Sequence, residues 1–237
     1  MFKVKGISDR LNMPVKSQEE IIRSSDIPEE MMDPLIRDFR SLILYNLETS
    51  GAVLTTDNQV KIYTDGQAKF EGLRTALRRA SRFIHIQYYI IKNDEVFDSI
   101  VPILEDKVRE GVEVRILYDG MGGRFMPKRR WEELRRAGIL VGVFFRPILG
   151  WLNLRVNYRN HRKIVVIDGN VGFVGGFNIG REYISKDPGF GYWRDTHLRI
   201  TGEAVMSLQI RFALDWNYAT GENLFKNEAY FRTDLKK

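Results

Sequence analysis

The sequence predicts an α/β protein, a three-layer α/β/α sandwich built on a mixed β-sheet. Short runs rich in β-branched residues alternate with segments of helical periodicity, which is typical of strands joined by crossover helices. Two apolar runs are separated by only two residues, Gly169-Asn170, as in a β-hairpin. The hairpin therefore adds antiparallel pairing to an otherwise parallel sheet.

The predicted elements alternate along the chain after an N-terminal segment. Residues 1–50 are predicted to form a helical adaptor segment, and residues 51–237 a second, larger domain. Strands are predicted at 60–64, 83–90, 112–118 and 139–145, with the hairpin runs at 164–168 and 171–175. Helices are predicted at 67–81 with Asp65 as N-cap, at 94–110 with a kink at Pro102, at 127–137, and after Gly202.

Charge and composition restrict the functional classes. The formal net charge of +6 favours an anionic partner, such as a phospholipid surface or a nucleic acid. The chain contains no cysteine, which excludes disulfides and thiolate metal ligands. No run has the length and apolarity of a transmembrane helix, and no group of histidines or carboxylates has metal-ligand spacing. A metal-free, cofactor-free mechanism is therefore predicted.

A phosphate-handling site is predicted on the hairpin. With Gly169-Asn170 as the loop, His161 and Lys163 share one face of the first strand, opposite Asn178 and Gly176 of the return strand. A glycine opposite the lysine is expected to leave space for a phosphate to approach the backbone. The hairpin alone thus brings an imidazole, an ammonium and an amide together.

These residue types indicate covalent catalysis at phosphorus. A neutral imidazole at His161 is suited to attack phosphorus, while Lys163 supplies positive charge and Asn178 a neutral donor to the phosphoryl oxygens. Asp195 is the predicted carboxylate that orients the His161 ring. Asp168 lies roughly 16 Å from Lys163, at ~3.3 Å per residue, so a structural role at the turn is predicted for it.

The wider pattern resembles a known family. The string from His161 to Asp168, followed by Gly175-Gly176-x-Asn178, resembles the HKD signature of the phospholipase D superfamily. The residues around it, from about Leu54 to Tyr218, are similar to bacterial cardiolipin synthases. The resemblance implies that residues 51–237 form a phospholipase D-like catalytic domain with one HKD motif, which includes Gly175 and Gly176. Family members are similar to two fused copies of this unit.

The resemblance implies phosphatidyl transfer as the first hypothesis. Two phosphatidylglycerols would give cardiolipin and glycerol through a phosphohistidine, at the cytoplasmic face of the bacterial membrane, where the protein would bind peripherally. Because a single copy brings one motif histidine, a homodimer or a complementing second HKD half is expected to supply the other. Two alternatives remain open: a homodimeric, metal-independent phosphodiesterase or nuclease, and an inactive half that acts only as a binding module.

An apolar loop at residues 146–155 has two interpretations. It is either a lip that meets acyl chains, with Trp151 at the interface and Arg146 and Arg155 on headgroups, or a buried contact with a second subunit or with a second HKD half. Arg194, beside Asp195, is a further predicted headgroup ligand.

Overall fold

The computed structural model describes residues 18–20, 22–23, 33–145 and 159–231. Contacts divide the chain into two compact units, Met1–Thr56 and Asp57–Lys237. The predicted domain boundary at residue 50 coincides with the end of a helix, whereas the first unit ends at Thr56. Among the described residues, no helix is both long enough and apolar enough to span a bilayer.

The first unit is built on helix α1 (Pro34–Ser50). Proline is favoured in the first turn of a helix, where a backbone N–H has no intrahelical acceptor. Ile43 and Leu47, four residues apart and so on one face, are buried together with Ile22. This cluster forms a small apolar core within the first unit.

The second unit contains a seven-stranded mixed sheet, which confirms the predicted sheet type. The strands are β1 (Asn58–Tyr63), β2 (Phe83–Tyr88), β3 (Glu113–Asp119), β4 (Leu140–Phe144), β5 (Ile164–Ile167), β6 (Val171–Gly175) and β7 (His197–Gly202). Their order across the sheet is β1-β7-β6-β5-β2-β3-β4. The pairs β2–β3 and β3–β4 are parallel, and the other four are antiparallel.

Helices cover both faces of the sheet and complete the three predicted layers. One face carries α2 (Gly66–Arg78), α3 (Glu95–Asp98), α4 (Val101–Arg109) and α5 (Lys128–Arg136), and the other carries α6 (Ala204–Thr220). The first core includes Leu77, Leu104 and Trp131, and the second includes Phe212 and Trp216. Short 3-10 helices follow β3, β6 and α6, at Gly122–Phe125, Arg181–Ile184, Leu224–Lys226 and Glu228–Phe231.

Local chemistry explains where the helices begin and break. The Asp65 side chain accepts the backbone N–H of Ala68 at 2.8 Å, which confirms the predicted N-cap of α2. The single helix predicted at 94–110 is wrong, because the chain forms α3 and α4 with a break at residues 99–100. Pro102 lies in the first turn of α4, where the missing N–H costs no hydrogen bond.

The predicted hairpin forms, but its loop is longer than predicted. Strands β5 and β6 pair in a register that leaves three residues, Asp168–Asn170, in the loop. Asp168 and Gly169 both have positive φ, 55° and 74°, so the left-handed turn starts one residue earlier than expected. Continuing this register places Gly175, rather than Gly176, opposite Lys163.

The strand ends that carry the candidate site residues meet at one edge of the sheet. Strands β2 and β3 end there, and because β5 is antiparallel to β2, β5 begins there. The end of β6 and the start of β7 reach the same edge through the pairing of Gly175 with His197. Residues that are distant in sequence therefore become neighbours around the start of β5.

Candidate active site

His161 and Lys163 lie together just before β5. The Lys163 ammonium is 3.0 Å from Nδ1 and 3.2 Å from Nε2 of the His161 ring, and it donates to the His161 carbonyl oxygen at 2.9 Å. His161 is exposed, whereas Lys163 is only 3% exposed. The candidate nucleophile is open to a substrate, and the neighbouring cation is held in the protein.

The surroundings favour the neutral form of the His161 imidazole. Partial burial lowers the pKa of His161 and the Lys163 charge lowers it further, while Asp119 opposes both effects. Burial lowers the pKa of Lys163 to about 8, and the charge of Asp195 opposes this shift. Near pH 7 the pair therefore combines an unprotonated imidazole with a mostly protonated ammonium, as nucleophilic attack on phosphorus requires.

The residue before the nucleophile is fixed through its N–H and both polar atoms of its side chain. The Asn160 N–H donates to Asp119 Oδ2 at 3.1 Å, and Asn160 Nδ2 donates to Asp215 Oδ2 at 2.9 Å. Asn160 Oδ1 accepts from the backbone N–H and from Nη1 of Arg162, at 3.3 and 3.2 Å. The backbone that leads into His161 is thus tied to β3 and to α6.

Asp195 lies beside Lys163 and makes no hydrogen bond to His161 within the described residues. Its Oδ1 accepts the N–H of Thr196 at 2.6 Å, and its charge acts on Lys163. A β-carbon at Gly176 would lie 1.9 Å from Asp195 Oδ1. The space at Gly176, which was expected to receive a phosphate, therefore holds the Asp195 carboxylate.

Gly175 allows a close approach of the backbone of β7. A β-carbon there would lie 2.4 Å from His197 Cα and 2.5 Å from the Thr196 carbonyl oxygen. Because these are main-chain positions, any larger residue would push the start of β7 away. The two motif glycines thus bring β7 and Asp195 against the end of β6.

Asn178 is buried and already hydrogen-bonded. Its Oδ1 accepts the Ile90 N–H at 3.1 Å, and its Nδ2 donates to Tyr183 Oη at 2.7 Å. Only the second N–H of the amide is left for a phosphoryl oxygen. Tyr89, next to Ile90, places its ring 4.7 Å from the His161 ring and forms one wall of the site.

Asp168 stabilises the end of the hairpin that lies farthest from His161. Its carboxylate accepts the backbone N–H groups of Ser81, Arg82 and Phe83, at 2.8, 2.8 and 2.9 Å, and also the Ser81 hydroxyl. These donors belong to the segment that leads into β2, whereas a bond within its own turn was predicted. Asp168 therefore fastens the hairpin tip to the neighbouring strand.

The two other histidines are buried. The His85 ring stacks on Phe212, and its Nδ1 lies 3.0 Å from Gln209 Oε1, while burial lowers its pKa to about 3. Burial and the charges of Lys69 and Lys163 lower the pKa of His197 to about 2. Both are fully buried, so His161 is the one solvent-accessible histidine of the chain's three.

The predicted headgroup ligands fall in two regions. Arg146, Trp151 and Arg155 lie outside the described residues. Arg194 is exposed and immediately precedes Asp195. Of the four predicted headgroup ligands, Arg194 is therefore the one that lies among the described residues, next to the site.

Two acidic residues and an aromatic one complete the site without having been predicted. Asp119 ends β3 before a glycine-rich loop, and its Oδ1 accepts the Met121 N–H at 2.9 Å. The sequence did carry a signal for Asp119, namely a carboxylate at the end of an apolar, β-branched run. Asp215 directly precedes Trp216 on α6, and both residues are buried. Because burial of an unpaired charge is costly, a carboxylate at this position implies hydrogen-bond donors around it. Nothing in the sequence pattern pointed to Tyr89.

Solved structures of low sequence identity share this fold. NucT from Helicobacter pylori has a TM-score of 0.53 at 15% identity, with 69% of this chain and 98% of that chain covered. Nuc from Salmonella typhimurium, a phospholipase D family member, has a TM-score of 0.51 at 16% identity, with 69% and 97% covered. These likenesses confirm the phospholipase D-like fold.

Cardiolipin synthases are similar over most of the chain. The Oceanobacillus iheyensis protein is 44% identical over 92% of this chain and 45% of its own length, and the Staphylococcus aureus (strain Mu50) protein is 53% identical over 81% and 39%. The chain thus spans less than half the length of these curated relatives. The family model described as "Cardiolipin synthase, PLD-like domain" matches residues 73–192. The chain belongs to this cardiolipin synthase, phospholipase D-like domain family.

Proposed function

We propose that the protein is a phosphatidyltransferase that makes cardiolipin from two phosphatidylglycerols through a phosphohistidine at His161. The main support is the exposed, unprotonated imidazole 3.0 Å from the buried Lys163 cation, in a chain of the cardiolipin synthase family. Lys163 would stabilise the charge that develops on the phosphoryl oxygens, with Asn178 as a further donor. Asp195 would hold Lys163 in its charged form.

Each half-reaction exchanges one bond at phosphorus. In the first, a His161 nitrogen attacks the phosphorus of phosphatidylglycerol, a P–N bond forms, and the P–O bond to the glycerol headgroup breaks. The departing alkoxide takes a proton and leaves as glycerol. In the second, a hydroxyl of another phosphatidylglycerol attacks the phosphorus, loses its proton to a base, and displaces His161 to give cardiolipin.

The two proton transfers require an acid and base other than His161. The remaining histidines, His85 and His197, are buried and have pKa values far below 7, so neither reaches the leaving group nor carries a proton at neutral pH. We therefore propose that a second copy of the site supplies this group, either in a homodimer or in a complementing HKD half.

The proposed partner is an anionic membrane surface. The net charge of +6 suits binding to phosphatidylglycerol headgroups, and the proposed place is the cytoplasmic face of the bacterial membrane, bound peripherally. Arg194 is proposed as a headgroup ligand, together with Arg146, Trp151 and Arg155 in the segment outside the described residues.

Trapping the intermediate tests the function. Wild-type protein is mixed with phosphatidylglycerol carrying a labelled phosphate, and the reaction is quenched in alkali. We expect protein-bound label that is stable to alkali, is released by acid, and is absent in His161→Asn. Lys186→Gln, an exposed substitution elsewhere in the second unit, serves as the control and should be labelled normally. Labelling of His161→Asn would contradict the proposal.

The same preparation distinguishes the nuclease alternative. Steeply salt-dependent DNA binding with metal-independent cleavage, and no reaction with phosphatidylglycerol, would favour a nuclease. The absence of both reactions would favour a binding module.

A further inference from the structure

Asp215 is a buried carboxylate that takes no part in the proposed chemistry at phosphorus. It lies on α6 and is 3% exposed. Its Oδ2 accepts from Gln87 Nε2, Asn160 Nδ2 and Arg162 Nη1, at 2.8, 2.9 and 3.2 Å. Its Oδ1 accepts from Arg211 Nη2 at 2.8 Å. A carboxylate removed from water requires several such donors, and Asp215 has four.

The four donors are not equivalent. The side chains of Arg162 and Arg211 are 43% and 41% exposed, so solvent screens their ion pairs, which contribute little. The amides of Gln87 and Asn160 are buried, at 1% and 3% exposure, and would be left without an acceptor if the carboxylate moved. The neutral hydrogen bonds therefore fix the geometry more firmly than the ion pairs.

The bond to Asn160 reaches the candidate nucleophile. Asn160 directly precedes His161 and is held from the other side by Asp119, whose charge acts on the His161 ring. Asn160 is thus held between a carboxylate of β3 and a carboxylate of α6. Loss of either would free the backbone that sets the position of the imidazole.

We infer that Asp215 is a positioning residue for the nucleophile, acting on His161 through the side chain of Asn160. This inference rests on the proposed function of His161. Asp215 contacts neither the His161 ring nor Lys163, so its action is on the direction of the imidazole and not on the chemistry at phosphorus. Small misplacements of a reacting group are costly in rate, which makes such a support necessary.

Two substitutions test the hydrogen bond that links Asn160 to Asp215. Asp215→Asn keeps the shape of the side chain but removes its charge and replaces one of its two acceptor oxygens by an NH2 group, so that Asn160 must share the remaining oxygen with the other donors. Asn160→Ala removes the link while leaving Asp215 paired with Gln87 and both arginines. We expect each to lower the maximal rate of His161 adduct formation about tenfold or more, with the half-saturating lipid concentration nearly unchanged. The double variant should fall no further than the single ones, since both cut one path.

Two controls separate positioning from general stability. Asp106→Asn removes the same charge from an exposed pair on α4, and Arg211→Gln removes an ion pair of Asp215 but keeps the Asn160 bond. Both should retain the wild-type rate per folded molecule, as measured after thermal unfolding has established the folded fraction. If Asp215→Asn lowers only the melting temperature, or if Asn160→Ala leaves the rate intact, the inference is wrong.

A spectroscopic measurement keeps the inference separate from the proposed function. The ring nitrogens of His161 are observed by ¹⁵N NMR, which needs no turnover. Asp215→Asn and Asn160→Ala should both shift these resonances, while Asp106→Asn and Arg211→Gln should not. If wild-type protein forms no adduct yet shows this pattern, the function fails and the positioning stands. If adducts form and the resonances of both variants match wild type, the positioning fails.

Discussion

Lys163 and His161 are the two residues of the site whose protonation sets its expected dependence on pH. Its pKa is lowered by burial to about 8, and the pKa of His161 is lowered below its ordinary 6.5. Attack requires His161 without its proton, so adduct formation should increase as pH rises through the His161 pKa. It also requires charged Lys163, so the rate should decrease as pH rises through about 8.

The first prediction is that Lys163 causes the decrease in rate on the alkaline side of this pH profile. Lys163→Arg keeps a positive charge at every accessible pH, so its rate of adduct formation should lack the decrease near pH 8, even if its maximum is lower. Lys163→Met should lower the rate about 10²–10³-fold throughout, as loss of a charge-stabilising donor does. A Lys163→Arg profile that still falls near pH 8 would assign that limb to another group.

The second prediction separates the two carboxylates near the site. Asp119 raises the pKa of His161, so Asp119→Asn should lower that pKa and extend the acidic limb to lower pH. Asp195 raises the pKa of Lys163, so Asp195→Asn should move the alkaline limb to lower pH and leave His161 unchanged. NMR titration of the His161 ring measures the first effect directly. A shifted His161 pKa in Asp195→Asn would support the contact that the sequence predicted.

At the scale of elements, the β5–β6 hairpin is fastened at both ends. Asn160 and its two carboxylate acceptors hold the end that carries the nucleophile, and Asp168 holds the tip. The buried strand residues between these points, Ile164 to Ile167, leave no room for a shift in register. The register of the hairpin is therefore set by both ends together with the core between them.

The third prediction concerns the tip. Asp168→Asn tolerates the positive φ but leaves the three backbone N–H groups of residues 81–83 with a weaker acceptor. We expect the free energy of unfolding to decrease by about 1–3 kcal/mol, with the rate of adduct formation per folded molecule retained. Denaturant titration measures the first quantity, and Asp106→Asn, within about 0.5 kcal/mol of wild type, is the control. A normal stability would show that the bonds at the tip are dispensable.

The fourth prediction compares the motif glycines. Gly175→Ala would press a methyl group against the backbone of Thr196 and His197, so it should lower the melting temperature strongly. At Gly176 the atoms nearest to an added β-carbon belong to the Asp195 carboxylate and not to the backbone, so Gly176→Ala should be milder in stability. It should, however, displace the carboxylate from Lys163 and move the alkaline limb to lower pH. Equal melting temperatures for the two variants would contradict this difference.

The sequence predicted elements better than the contacts between them. Alternating β-branched and helical runs located six of the seven strands except for their ends, because local pattern determines them. The hairpin loop was misjudged by one residue, since a left-handed Asp168 is decided by its tertiary bonds to residues 81–83. Asp119 and Asp215 were missed for the same reason: their partners come from strands that only the sheet topology brings together.

At the scale of the whole molecule, the site is assembled from widely separated positions. Tyr89, Asp119, His161 and Asp195 come from four strand ends at one edge of the sheet. The parallel strands β2 and β3 bring Tyr89 and Asp119, and the antiparallel strands β5 to β7 bring His161 and Asp195. A mixed sheet is therefore a requirement of this site and not only its support.

The fifth prediction concerns assembly. If a second copy of this chain supplies the missing acid, turnover per chain should increase with protein concentration and parallel the dimer fraction. Sedimentation with and without phosphatidylglycerol vesicles measures that fraction, and added His161→Asn chain should change the activity by forming mixed dimers. Full turnover by a strictly monomeric chain would contradict a shared site.

The three-residue loop at Asp168–Asn170 also sets the register in which β5 and β6 pair. Deletion of one loop residue would advance β6 by one position against β5, and each side chain of β6 would then face the opposite layer. Phe173 would leave the core that it now shares with Val165, and the glycines would lose their alignment with β7. A one-residue deletion roughly 16 Å from Lys163, at ~3.3 Å per residue, would thus dismantle the site as completely as the loss of His161 itself.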